Sequence, residues 1–491
     1  MTMNLADALA HHARARPDRA AILHGGRVLS YRDLDVTVRR WAAHLRALGV
    51  GTGAVLGIAL GDSPEHLLAL YAGARLGAIT LPIDHRWTEA EKAAVAGRFG
   101  AVLTLVPPGA VIGGVACAEV GAAFLGAADA ASATEGFPAG EACAAMPLLV
   151  SLSSGTTGRP KGPRVTHGQF LRRFWTHWID LGLNANEVYV SATPLYFGGG
   201  RTFAMSQLFA GGTVVLFPPP FAPQALVAEV ARRRATSLFL VPTLLRRLLE
   251  LPPGDVAPLR ALRLLLSSGA PLFAAERQAI RDTLCAGFHE YYASTEGGGI
   301  SLLRPEDMAR HGESVGRPVF GVEVAILDAD GRPLPPGEPG RLAYRGPGVA
   351  SGFFEDPEAD AEAFIDGWFL PGDLAVLDAE GYVTLRGRSK DVIIRGGINI
   401  HPVEIEATLG AHPAVAEVAV VPWTARERGE EIAAFVTARA PVTEAELRAH
   451  CAGRLAPYKL PRAIFVIDEL PRSAAGKIVK ADLVRRLPPL P

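Results

Sequence analysis

Cysteine is scarce in this chain: four residues in 491, at Cys117, Cys143, Cys285 and Cys451, far apart and without a C-x-x-C pair. That spacing argues against a disulfide framework or a cysteine-built zinc site, and it fits a reducing cytoplasm. A surplus of charge is missing too. The 49 basic and 50 acidic residues leave a formal net charge of −1, so nothing points to nucleic acid as a partner. Long apolar runs are absent. The best candidate, Leu67 to Ile83, is interrupted by Arg75, which leaves no membrane span. The N-terminus carries Asp7 early and reads as an amphipathic surface helix from Leu5 to Ala13, with His11 and His12 on it, not as a secretory signal. There is no internal repeat and no low-complexity tract beyond an Ala/Gly-rich patch around Ala122 to Ala145.

What is present is length and apolar content. With 49% hydrophobic and 20% charged residues the chain reads as well packed. It is too long for one core, so two or more domains are expected. The first three hundred residues or so alternate helical and strand patterns. A helix follows Ser30 to about Leu48, a strand Val55 to Leu60, a helix Pro64 to Leu76, and a strand Ala78 to Pro82. Further strands are predicted at Ala101 to Val106, Gly212 to Phe217, Thr236 to Val241 and Leu262 to Ser267. Such alternation predicts an α/β fold of mostly parallel, helix-covered sheets. Ligands on such sheets bind at the carboxyl ends of the strands. From Val322 the texture changes to short strands with Gly/Pro turns, which reads as a small β subdomain. A compact α+β tail follows from Val392. The expected domains are 1–389 and 390–491.

One loop dominates the chemistry. Ser151 to His167 reads SLSSGTTGRPKGPRVTH, after a short apolar strand Pro147 to Leu152 and before a helix that Thr166 would cap. Gly155, Gly158 and Gly162 let the backbone approach a ligand, and consecutive N–H groups there make an anion nest. Ser153, Ser154, Thr156 and Thr157 add donors, and Lys161 adds a positive charge. The spacing is not that of a Walker loop, because Arg159 and Pro160 separate Gly158 from Lys161. A plain flexible connector is the bland reading; phosphate binding explains the order of residues better.

Four other stretches complete an inventory. Leu264 to Leu272 is a strand ending in a Ser-Gly-Ala-Pro turn flat enough for a planar ring. Glu290 to Gly299 offers Tyr292 for stacking and Glu296 as a hard oxygen ligand suited to Mg²⁺ on phosphates. Asp366 to Ala375 places Asp373 where a carboxylate can accept from ribose hydroxyls. Leu470 to Lys480 carries Lys477 after a small-residue turn. Singly, Asp373 can cap a turn, Glu296 can pair with an arginine and Lys477 can be a surface lysine. Together they are what ATP requires.

On these residues the chain resembles the adenylate-forming superfamily of acyl-CoA synthetases, peptide-synthetase adenylation domains and beetle luciferases, over nearly its whole length. Ser153 to Gly162 matches SSGTTGxPKG, Tyr292-Ala-Ser-Thr-Glu296 matches YGxTE, and Gly367-Trp-Phe-Leu-Pro-Gly-Asp373 matches GWxxTGD. Gly387 to Gly397 matches the hinge motif and Pro471 to Lys477 matches PRTxxGK. The resemblance implies a large N-terminal domain with a β subdomain and a small mobile C-terminal domain turning about Lys390. It implies ATP-dependent, Mg²⁺-assisted activation of a carboxylic acid as an acyl-adenylate, then transfer to a thiol. The implied catalytic groups are Lys477, Thr295, Glu296 and Lys161, with Glu296 on the metal. Nucleotide binding falls to Ser153, Ser154, Gly155, Thr156, Thr157 and Gly158, to Gly269, Ala270 and Pro271, to Tyr292, Ala293 and Ser294, and to Asp373 and Arg388. Gly396 and Gly397 would line the pantetheine tunnel.

The acyl side departs from the family. Phe197 stands where a histidine is common, so that position cannot titrate. The Asp that meets an α-ammonium in amino-acid-activating members is absent, which argues against an α-amino acid. Phe197, Gly198, Gly199, Ala293, Gly298 and Gly299 are the expected acyl pocket. Glycines there would leave room for a medium-to-long fatty acyl or an aromatic group; alternatively they let segments pack closely. Arg201 could meet a second carboxylate of a diacid, or instead be solvated or hold the loop. The chain stops at Pro491 with no carrier domain, which favours free coenzyme A over a separate acyl carrier protein. A nucleotide sensor without turnover is the remaining alternative.

Overall fold

The computed structural model describes residues 3–133, 142–152, 161–395, 398–425, 429–472 and 478–488. Its first sheet runs Cys117–Glu119, Ala101–Val106, Val55–Ile58, Ile79–Pro82, Pro147–Val150, Arg164–Thr166, all parallel except the last pair. The second has nine strands. Its parallel centre runs Phe288–Ser294, Leu264–Ser267, Ser237–Leu240, Val188–Ser191, Thr213–Leu216, Ala20–His24. Antiparallel strands, Gly298–Leu303 and Arg27–Ser30 among them, close its two sides.

Apolar strands buried on both faces need helices on both faces. Helices Tyr31–Ala47, Pro64–Leu76 and Gly198–Ala210 share one core with strands of both sheets. Pro64–Leu76 starts on proline at its first position and stops at Gly77, whose φ of 73° is left-handed. It is buried along nearly its whole length, as a helix between two sheets should be, with its buried Arg75 paired to Asp7. Tyr71 crosses to donate to the Met205 carbonyl at 3.1 Å. The outer face of the nine-stranded sheet is covered by Pro223–Arg233, Pro242–Leu249 and Ala274–Thr283.

The β subdomain pairs Glu323–Leu327, Pro339–Arg345, Asp373–Leu377 and Val383–Arg388. The last unit is a five-stranded sheet around Val415–Ala425 and Gly429–Ala438, with helices Pro402–Gly410, Glu444–Ala452 and Lys480–Arg486. The predicted α/β class with a small α+β tail is what forms. One surface expectation changes: His12 is buried, with Nε2 at 2.8 Å from the Phe209 carbonyl, because helix Asp7–Ala15 packs against Gly198–Ala210.

Candidate active site

The phosphate-type loop joins strands Pro147–Val150 and Arg164–Thr166, an antiparallel pair at the edge of the first sheet. Thr166 caps the helix His167–Trp175 as predicted: its Oγ1 accepts from the Gln169 amide at 3.2 Å, and Gln169 Oε1 accepts from the Thr166 amide at 3.0 Å. Gly162 is fixed by space: a Cβ there would stand 2.4 Å from Val150 Cγ1 and 3.0 Å from the Phe99 ring. The Gly162 carbonyl accepts from Phe354 at 2.8 Å, which ties the loop's exit to the β subdomain. Lys161 holds its ammonium 5.7 Å over the Phe353 ring. Ser153, Ser154, Gly155, Thr156, Thr157 and Gly158 lie outside the described residues, as do Gly396, Gly397 and Lys477.

The strand Phe288–Ser294 delivers Tyr292, Ala293 and Ser294, and Thr295 and Glu296 follow in the turn. Asp373 and Arg388 face one another across an antiparallel strand pair. Asp373 Oδ1 accepts from Arg388 Nε at 3.0 Å, and Oδ2 accepts from the Tyr292 hydroxyl at 2.5 Å. Arg388 also donates to the Pro371 carbonyl at 3.0 Å. Three residues predicted separately, at 292, 373 and 388, therefore form one hydrogen-bonded unit. Burial works against the Arg388 cation, yet the Asp373 carboxylate outweighs it and holds the pKa above its ordinary value. Burial, reinforced by Asp373, keeps the Tyr292 phenol protonated well beyond its usual range. Gly269 has φ 101°, so the turn after Leu264–Ser267 is left-handed there, with Ala270 and Pro271 following.

Burial pushes the Glu296 carboxyl up, offset in part by Ser294 and Arg173. Arg173 is a buried cation behind this turn that sequence reading missed. It is buried in helix His167–Trp175 and donates to the carbonyls of Gly348 at 2.9 Å, Thr295 at 3.1 Å and Glu296 at 2.6 Å. Its pKa falls to about 10 through burial, so it stays charged at neutral pH. The sequence signal was slight: Arg173 lies on the helix's apolar side with Phe170 and Phe174, where a cation needs partners.

Of the residues expected on the acyl side, Gly198 and Gly199 open the helix Gly198–Ala210, with Phe197 at its N-cap. The space beside Gly198 is open. Beside Gly199 it is not: a Cβ there would meet the Phe239 ring at 2.9 Å. A Cβ at Gly298 would stand 3.0 Å from Arg173, and one at Gly299 would stand 2.0 Å from the Tyr291 hydroxyl. Close packing thus explains Gly199, Gly298 and Gly299, and the open space lies at Gly198. Arg201 is not solvated. Only 1% exposed, it donates to the Leu195 carbonyl at 3.3 Å, the Tyr196 carbonyl at 2.9 Å and Ser151 Oγ at 2.7 Å. Its fork grips the loop backbone and does not face a substrate's second carboxylate.

The helix-covered parallel sheets and the hydrogen-bonded Tyr292–Asp373–Arg388 unit fit the adenylate-forming class that the motifs led us to expect. The chain belongs to the family of AMP-binding enzymes. Residues 9–354 match that family, and residues 404–477 match the AMP-binding enzyme C-terminal domain. The chain is 34% identical to a feruloyl-CoA synthase from an Amycolatopsis species, over 96% of this chain and 97% of the other. It is 33% identical to the indoleacetate–CoA ligase of Aromatoleum aromaticum, over 99% and 98%. The fold superposes on ATP-bound MatB from Rhodopseudomonas palustris with a TM-score of 0.90, 29% identity and 98% coverage of each chain. It also superposes on the o-succinylbenzoate CoA synthetase of Bacillus subtilis, in complex with its acyl-adenylate intermediate, with a TM-score of 0.88, 28% identity and 98% coverage of each. The same synthetase is known with ATP and a magnesium ion. The chain is an AMP-forming acid–thiol ligase: it activates a carboxylic acid with ATP and Mg²⁺ through an acyl-adenylate and passes the acyl group to coenzyme A.

Among the described residues no group of three or more His, Cys, Asp or Glu is placed to hold a metal alone. Glu296, whose carboxyl is strained toward neutrality by burial, suits a cation that restores the charged form. No helix among the described residues is long and apolar enough to cross a membrane.

Proposed function

We propose that the acid is aromatic and that the two half-reactions share one nucleotide site. The observation that carries the reading is the Tyr292–Asp373–Arg388 unit beside the Thr295–Glu296 turn, together with the open space beside Gly198, next to Phe197. Rings suit rings: offset and edge contacts add to the area buried. The relatives named for ferulate and indoleacetate, and the structure holding o-succinylbenzoyl-AMP, support the same class.

In this reading the substrate carboxylate attacks the α-phosphorus, the bond to the β-phosphate breaks, and pyrophosphate leaves. Glu296 would hold Mg²⁺, which would supply charge neutralisation on the phosphates. Thr156 to Lys161 and Thr295 hold the phosphates, Gly269, Ala270, Pro271 and Tyr292 enclose adenine, and Asp373 with Arg388 orients the ribose. Lys477 bridges the carboxylate and the α-phosphate, which concentrates preorganised charge where charge develops. Then the domain 390–491 turns about Lys390, Lys477 leaves, and Gly396 and Gly397 line the path of the pantetheine thiol, which displaces AMP. The four cysteines, all free, support a cytoplasmic setting.

The test is a panel of aromatic, fatty and dicarboxylic acids assayed for AMP release and thioester mass, with coenzyme A and, separately, with a phosphopantetheinylated carrier protein. The reading expects an aromatic acid and coenzyme A to give the fastest turnover. Faster turnover of a fatty acid or a diacid would overturn the substrate class. Preference for the carrier would reassign the acceptor, and binding without AMP release would leave a sensor.

A further inference from the structure

Arg201 presents an unusual combination. It is a fully buried cation in the first turn of Gly198–Ala210, where the helix dipole disfavours positive charge. No carboxylate pairs with it among the described residues; its charged neighbour is Arg173, which repels it. Its Nε makes no hydrogen bond. A leucine or methionine of similar length would pack there at no electrostatic cost. The residue is therefore expensive for the fold, and what it gains must lie in what it joins.

It joins two halves of the site. One side of its fork takes the Leu195 and Tyr196 carbonyls, immediately before Phe197 and the open space at Gly198. The other side takes Ser151 Oγ, where the strand Pro147–Val150 ends and the phosphate-type loop begins. The turn at 195–197 is held from other directions as well. Asp62 Oδ1 accepts from the Leu195 amide at 2.6 Å, and the Tyr196 hydroxyl meets Arg86. Ser151 is 4% exposed, so its hydroxyl has no solvent alternative. A planar fork can serve two directions at fixed angles, and an ammonium cannot.

We infer that Arg201 is a positioning residue that couples the acyl-side turn to the start of the phosphate loop, so that one buried guanidinium sets the distance between the acid and the nucleotide. The inference depends on the adenylating reading only for the identity of the ligands. A neutral guanidine would not do: burial lowers the pKa to about 9, and the group remains cationic at working pH.

Full-length wild type, Ser151→Ala, Arg201→Lys and Arg201→Met are titrated calorimetrically with MgATP and with AMP, no acid present. AMP lacks the β- and γ-phosphates and reports the adenosine side. Ser151→Ala and Arg201→Met should weaken MgATP by about tenfold while changing AMP by less than about twofold, the loss of one charge-assisted hydrogen bond at the loop. Arg201→Lys should recover part of this, since it keeps the charge and loses the second direction. In turnover, with the acid that the wild type uses best, Arg201→Met should also raise the KM for the acid, and Ser151→Ala should not. Wild-type affinity for MgATP in all variants overturns the inference, as does equal weakening of MgATP and AMP. If Arg201→Met does not fold, Ser151→Ala decides by the same two outcomes. If the wild type binds MgATP yet activates no acid, the functional reading fails while the binding comparison still decides on Arg201.

Discussion

At the scale of single residues, the site spends stability on charge. Glu296 has a pKa raised by burial. An unfolded chain then releases that proton at lower pH than the folded chain, so the apoprotein loses stability as pH rises through this range. Glu296→Gln should raise the apoprotein melting temperature at pH 7 and greatly increase the Mg²⁺ needed for turnover. A variant no more stable than wild type, with the same Mg²⁺ dependence, would remove Glu296 from the metal. Tyr292→Phe tests the ribose unit. Losing the hydroxyl frees one Asp373 oxygen, at a cost of about 1.5–3 kcal/mol for a charged hydrogen bond. The KM for ATP should rise with little change in kcat; an unchanged KM would mean that the Tyr292–Asp373 contact is structural only. Much of this scale was legible. Asp373, Arg388 and Tyr292 were each marked by motif. For Arg201 the sequence offered holding the loop as one of its readings, and its contacts to Leu195 and Tyr196 are local, but its bond to Ser151 was not legible. Arg173 was not legible at all, because its partners Gly348, Thr295 and Glu296 lie far away in sequence, which spacing along one helix cannot reveal.

Secondary-structure elements were legible where local chemistry agrees with burial. Pro64–Leu76 announces itself by an initial proline and a terminal glycine, and Tyr31–Ala47 by the Ser30 and Asp33 capping box. Less legible was His167–Trp175, which passes into a π-helical turn at Thr176–Asp180. No residue type there signals a wider turn; packing decides it. His177 in that turn stacks flat on Phe203, centroids 4.0 Å apart and planes at 11°. Burial lowers its pKa to about 3. The unfolded chain takes up a proton near pH 6.5 that the folded chain refuses, so stability is lost as pH falls from 6.5 toward 3. His177→Phe should flatten the pH dependence of stability between pH 6 and 5 by about 1.4 kcal/mol per pH unit. An unchanged slope would contradict the burial of a neutral imidazole.

On the scale of the whole molecule, the order of strands was beyond sequence reading, because parallel partners come from distant segments: Ala20–His24 pairs with Thr213–Leu216. So was the way the C-terminal unit meets the rest. Arg472, five residues before Lys477, pairs with Glu417 and reaches Thr243 at 3.4 Å. Arg246 lies 3.7 Å from the same Glu417 and 2.6 Å from Glu276. This ion chain brings the segment leading to Lys477 toward the turn at Gly269 to Pro271. If the C-terminal unit turns as proposed, these contacts break between half-reactions. Lys477→Ala should abolish adenylation yet still convert a supplied acyl-adenylate to thioester. Gly397→Leu should do the reverse, because a side chain there would obstruct the thiol path. Equal loss of both half-reactions in Lys477→Ala would count against alternation.

The central claim is that a carboxylic acid and ATP react directly at one phosphorus before any thiol is involved. Acid-dependent exchange of labelled pyrophosphate into ATP, measured without coenzyme A, tests it most directly. The account predicts exchange with an aromatic acid and none without acid. Exchange that needs coenzyme A, or label incorporation indifferent to the acid, would contradict it.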